Sequence, residues 1–117
     1  MTKVFLAEDD QTMVTLLETL LKLEGYEAVS IDLAGGRLIS KLRENVPGLL
    51  LLDVNLPGES GLDVVRAMRA DNLFANTRVI MASGMSVKSE CLESGADAFL
   101  LKPYMPDELI DLIKKHS

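Results

Sequence analysis

The sequence predicts an α/β domain in three layers, a doubly wound, five-stranded parallel sheet with helices on both faces. Three observations predict it. Five short apolar runs punctuate the chain: VFLA (4–7), AVSI (28–31), LLLL (49–52), VIMA (79–82) and AFLL (98–101). Runs such as VFLA, LLLL and VIMA are uniformly apolar rather than alternating, as strands buried on both faces are. A stretch with helical spacing follows each run. The order is therefore βαβαβαβαβα, which right-handed crossovers close into a parallel sheet.

The elements follow in order. After the first strand, Met13, Leu16, Leu17, Leu20 and Leu21 form a helical stripe. Gly25 stands where a helix end wants a left-handed residue. After the second strand, Leu38, Ile39, Leu42 and Val46 form another stripe, stopped by Pro47. After the third, Ser60 can cap a helix carrying Leu62, Val65 and Met68. The fourth helix, SVKSECLES, is short and ends at Gly95. The fifth starts at Pro106, with Asp107 and Glu108 in its first turn and Lys114 and Lys115 in its last, the charge order a helix dipole favours. Leu109, Leu112 and Ile113 face inward.

The 117 residues are read as one domain, 1–117, and at 48% hydrophobic they can bury a core. The net charge is −6 and the twelve Lys and Arg are scattered, which argues against a nucleic-acid surface. A single cysteine, Cys91, fits a reducing cytoplasm. The apolar run near the N-terminus is too short for a signal peptide, and no run approaches the ~18 residues of a membrane helix.

Polar residues gather at the predicted strand ends. Strand one ends in Glu8-Asp9-Asp10, strand three in Asp53 with Asn55 close behind, strand four in Ser83-Gly84, strand five in Lys102-Pro103. In a parallel sheet these ends share one edge, where ligands of open α/β sheets bind. Each residue also has a plainer role. Asp10 is read as the cap of the first helix. Glu8 and Asp9 can be a solvated pair, Asp53 and Ser83 turn formers, Lys102 a surface charge. His116 is read as exposed, and Cys91 and the methionines as packing residues. The joint placement carries the functional reading. Clustered carboxylates call for a cation, and oxygen ligands without His or Cys suit Mg²⁺. A carboxylate beside such an ion can attack phosphorus, and the added charge needs donors such as Ser83 and Lys102.

In these residues the chain resembles the receiver domains of two-component response regulators over essentially its full length. The matching motifs are LAEDD (6–10), LLLLDVNLPGESG (49–61), VIMASG (79–84) and AFLLKP (98–103). The resemblance implies a flavodoxin-like sheet of order 2-1-3-4-5 and a cis Lys102-Pro103 peptide. It implies that Asp53 accepts a phosphoryl group from a sensor histidine kinase or histidine phosphotransfer protein. Glu8, Asp9, Asp53 and the Asn55 carbonyl would hold Mg²⁺. Ser83 and Lys102 would bind the phosphoryl oxygens. Phe99, at the family's switch-aromatic position, would turn inward with Ser83 and alter the face of helix four, strand five and helix five. Such a module is not a turnover enzyme, though it assists its own phosphorylation and dephosphorylation. It would signal in the cytoplasm through an output domain, an output protein or a homodimer, without touching DNA or membrane itself. The span from Ser83 to Lys102 is shorter than the family usually has, leaving helix four about two turns.

Rival readings are a pseudo-receiver that only binds proteins, an aspartyl-phosphate phosphatase and a flavin protein. The complete acidic set opposes the first. Asn55, where such phosphatases often carry a second acid, opposes the second. The acidic loop after strand one would repel a flavin phosphate.

Overall fold

The structure is a computed structural model and describes residues 2–117. Its main elements are β1 (Lys3–Ala7), α1 (Gln11–Leu23), β2 (Glu27–Ser30), α2 (Leu38–Glu44), β3 (Leu49–Asp53), α3 (Gly61–Arg69), β4 (Arg78–Ser83), α4 (Lys88–Ser94), β5 (Ala98–Leu101) and α5 (Pro106–His116). A two-residue antiparallel pair, Asn55–Leu56 with Glu59–Ser60, sits between β3 and α3, and a 3-10 turn, Asn72–Phe74, lies before β4. The five strands run parallel in the order β2-β1-β3-β4-β5, the order expected.

Strand alternation divides the core into two layers. Phe5, Leu50, Leu52, Val79 and Met81 pack with α2, α3 and α4. Val4, Leu6, Leu49, Leu51, Ile80 and Leu100 pack with α1 and α5. Every residue of β3 is buried, which is why its leucines show no alternation: both faces meet helices. Each such leucine contributes about 2 kcal/mol by leaving water.

Local chemistry sets the helix ends. Asp10 caps α1, its carboxylate accepting the Thr12 and Met13 N–H groups. At the other end Gly25, at φ 88°, lets Tyr26 N–H reach Leu21 O at 2.8 Å while its own N–H bonds Lys22 O. Replacing Asp10 with Ala should cost about 1 kcal/mol, read as a lower urea midpoint at unchanged slope.

Three expectations are corrected. The α1 stripe is centred on Val14, Leu17 and Leu21, and Leu16 is exposed. An apolar residue at the border of a wide stripe can stay in water at little cost. Val46 lies beyond α2, which ends at Glu44, and is also exposed. His116 is half-buried rather than exposed, in a surface cavity of about 620 Å³ near Lys3 and Arg78 at the amino edge of the sheet.

The short α4 is held at its C-terminal end by Arg69. The guanidinium donates to Gly95 O at 2.8 Å, Thr77 O at 2.9 Å, Phe74 O at 3.0 Å and Asp97 Oδ2 at 3.1 Å. One side chain thus joins α3 to the loops that start β4 and β5. No helix among the described residues is long and apolar enough to cross a membrane.

Candidate functional site

The parallel register sets the carboxyl edge. Ala7 pairs with Leu52 and Asp53 with Ala82, so Glu8 and Asp53 leave the sheet side by side. Lys102 arrives from β5, its N–H donating to Ser83 O at 2.8 Å. The Lys102-Pro103 peptide is cis.

The Lys102 ammonium lies between two acids. It is 2.7 Å from Glu8 Oε2 and 3.1 Å from Asp53 Oδ1. The second Glu8 oxygen accepts the Asp10 N–H at 3.0 Å. The Glu8 side chain is 3% exposed and that of Asp53 11%, so Asp53 is mostly buried yet open to solvent at the edge. Burial, then the Glu8 charge, raises the Asp53 pKa above its ordinary value, and Lys102 opposes both. Burial pulls the Lys102 pKa down, but its bonds to Glu8 and Asp53 outweigh that and leave it raised. Lys102 is therefore a half-buried counter-ion, not a free surface charge.

The other expected residues sit around this trio. Ser83 is 1% exposed at the end of β4, where its Oγ accepts the Met85 N–H at 3.1 Å. Asn55 is exposed in the tight hairpin after Asp53. Asp9 is exposed and lines an open cavity of about 320 Å³ with Glu8, Asp32 and Pro57. Asp9 is thus not drawn in with Glu8 and Asp53, and among the described residues no three His, Cys, Asp or Glu side chains gather closely enough to hold a metal ion. Phe99 is half-buried, packed against the α2-α3-α4 core layer. Alternation places Ser83 on that same face and Glu8, Asp53 and Lys102 toward the α1-α5 layer, so the site straddles the sheet edge.

Sequence reasoning missed Gly61 as a packing constraint. Its N–H donates to Val54 O at 2.7 Å, and a Cβ there would collide with the Asp53 carbonyl oxygen. It also missed Tyr104, two residues beyond Lys102, whose hydroxyl is buried without a partner.

Known proteins resemble this chain in sequence and in fold. The DNA-binding response regulator MtrA of Mycolicibacterium smegmatis is 32% identical over 115 residues, 96% of this chain and 49% of that protein. The cell cycle transcriptional regulator CtrA of Caulobacter vibrioides is 37% identical over 112 residues, 92% of this chain and 47% of that protein. The chain thus spans about half the length of the curated relatives it matches. The receiver domain of the Francisella response regulator 1452 superposes with a TM-score of 0.88 at 27% identity, covering 99% of this chain and 96% of that one. Residues 4–114 match the family described as the response regulator receiver domain, and the chain belongs to that family.

Proposed function

We propose that the chain is a phosphoacceptor module, taking one phosphoryl group on Asp53 from a histidine kinase or phosphotransfer protein. One observation carries this reading: the Lys102 ammonium held between Glu8 and a mostly buried Asp53 at the sheet edge. Asp53 presents a carboxylate oxygen at the open edge beside the Lys102 ammonium, and a carboxylate so placed can act as a nucleophile toward phosphorus. That oxygen forms the new bond to phosphorus as the donor's bond to phosphorus breaks, and the donor group leaves with its electron pair. Lys102 then turns from the carboxylates to the phosphoryl oxygens, and the Ser83 hydroxyl, which only accepts from the Met85 N–H, donates to another.

The donor set around Asp53 fits Mg²⁺. Glu8, Asp53 and the Asn55 carbonyl offer hard oxygen ligands at the edge, Asp9 would turn in from solvent to join them, and after burial the Glu8 charge raises the Asp53 pKa by repulsion. These residues would hold the ion, which when bound supplies positive charge to the phosphoryl oxygens. Lys102 would give up Glu8 to admit it.

Output follows from the geometry behind Ser83. Ser83 and Phe99 share the face toward α4, so a Ser83 drawn to the phosphoryl group opens space for the Phe99 ring and changes the α4-β5-α5 surface. A swing from 1:99 to 99:1 needs ~5.5 kcal/mol of differential stabilisation. Charge-assisted bonds from Lys102 and Ser83 together are of that order.

Incubation with acetyl phosphate or a phosphorelay partner and Mg²⁺ should add a single phosphoryl by intact mass, and Asp53→Asn should add none. No mass change under any donor supports a protein-binding pseudo-receiver instead, and sustained hydrolysis of unrelated phosphate esters supports a phosphatase.

A further inference from the structure

Among the described residues, one buried side-chain polar atom has no hydrogen-bond partner: the Tyr104 hydroxyl. A buried hydroxyl without an acceptor is costly, so its persistence asks for a state in which it is used. Its surroundings narrow the acceptor. The Tyr104 ring packs against the α1-α5 core layer. Val4 and Leu6 of β1 point into that layer, and the same alternation carried past Ala7 turns Glu8 toward it. After burial, the Glu8 charge acts most strongly on the phenol, and its pKa is pushed up to about 12. At neutral pH the phenol is therefore a neutral, fixed donor.

Glu8 has two acceptor oxygens, each already with one donor on it, and the Tyr104 hydroxyl bonds neither. Oε1 takes the Asp10 N–H and Oε2 the Lys102 ammonium. Lys102 is the shared partner, since it also holds Asp53. When it leaves, a carboxylate only 3% exposed loses its cation. We propose that Tyr104 is a positioning residue whose hydroxyl donates to Glu8 whenever Lys102 departs, which frees the ammonium for the phosphoryl group. The last clause rests on the phosphoacceptor reading, while the donation to Glu8 does not.

A double-mutant cycle tests the donation. In the parent chain Tyr104→Phe should leave the urea midpoint unchanged or raise it, because it removes an unsatisfied hydroxyl. In a Lys102→Met or Lys102→Gln background, the same change should lower the midpoint, with a coupling of roughly tenfold in the folding equilibrium constant, as for a hydrogen bond to a charged group. A ring that merely fills space would respond identically in every background, and that result overturns the inference. The phosphoryl arm is separate. With acetyl phosphate and Mg²⁺, Tyr104→Phe should take up phosphoryl several-fold more slowly than the parent, and equal rates overturn the claim that Tyr104 frees Lys102. A parent chain that takes no phosphoryl overturns the phosphoacceptor reading and that claim with it, leaving the cycle to decide the contact with Glu8.

Discussion

Lys102→Met should lower the folding free energy at neutral pH by about 3 kcal/mol and sharply reduce phosphoryl uptake. The methionine keeps an apolar stem and removes only the charge. It leaves Glu8 and Asp53, both largely out of water, facing each other without a cation. Removing one partner of a buried ion pair costs ~3–5 kcal/mol, and the low end applies here because a carboxylate can take up a proton. The pH dependence follows from the direction of the Asp53 shift. Its pKa is already raised by burial and by Glu8, and losing Lys102 removes what opposes both. The folded variant therefore binds a proton at pH values where the unfolded chain, near 3.8, does not. Its stability should fall as pH rises through the folded pKa and recover as pH drops toward the unfolded value. In the parent chain, Lys102 adds the opposite-limb term: its stabilisation is complete below 10.5 and is lost as pH rises through its raised folded pKa. Urea titrations of both chains at neutral and mildly acidic pH measure this. A deficit of equal size at both would mean that Lys102 is not the counter-ion of these acids.

Gly61→Ala should be the most damaging small substitution in the molecule. A methyl group at this position meets the Asp53 carbonyl oxygen and the Val54 Cα, which are backbone atoms that cannot rotate away. Overpacking of this kind costs ~1–3 kcal/mol when side chains can yield, and the top of that range is expected where they cannot. Relief requires α3 to withdraw from β3, which breaks the 2.7 Å bond from Gly61 N–H to Val54 O and shifts the Asp53 main chain. Phosphoryl uptake should drop along with stability. Gly48→Ala is the control: it stands at the other end of β3, but a Cβ there meets nothing within 4 Å. Its urea midpoint should stay within the range of ordinary surface changes, ~0.5 kcal/mol. Equal midpoints for the two variants would refute the close-approach account.

Much of this molecule is legible along the chain because burial is written locally. The leucines before Asp53 lack alternation since both faces of β3 meet helices. The Asp10 cap and the Gly25 and Gly95 helix ends need only a few neighbouring residues to form, and each stands where the spacing put it. Even the meeting of Glu8, Asp53 and Lys102 at one edge follows from the parallel order, since all strand ends then share a side.

Which charges touch was decided elsewhere. Glu8 and Lys102 are 94 positions apart, and no local pattern says that the ammonium takes this acid and Asp53 while Asp9 stays in solvent. The width of the α1 stripe, the pressure of Gly61 on β3 and the stranded Tyr104 hydroxyl share that origin. By itself the sequence determined the order of strands and helices and the chemical inventory of the edge, because periodicity and caps act over a few residues. Tertiary packing alone decided the pairing and burial of that inventory, because contact energies between distant segments depend on distances that exist only once the sheet has closed.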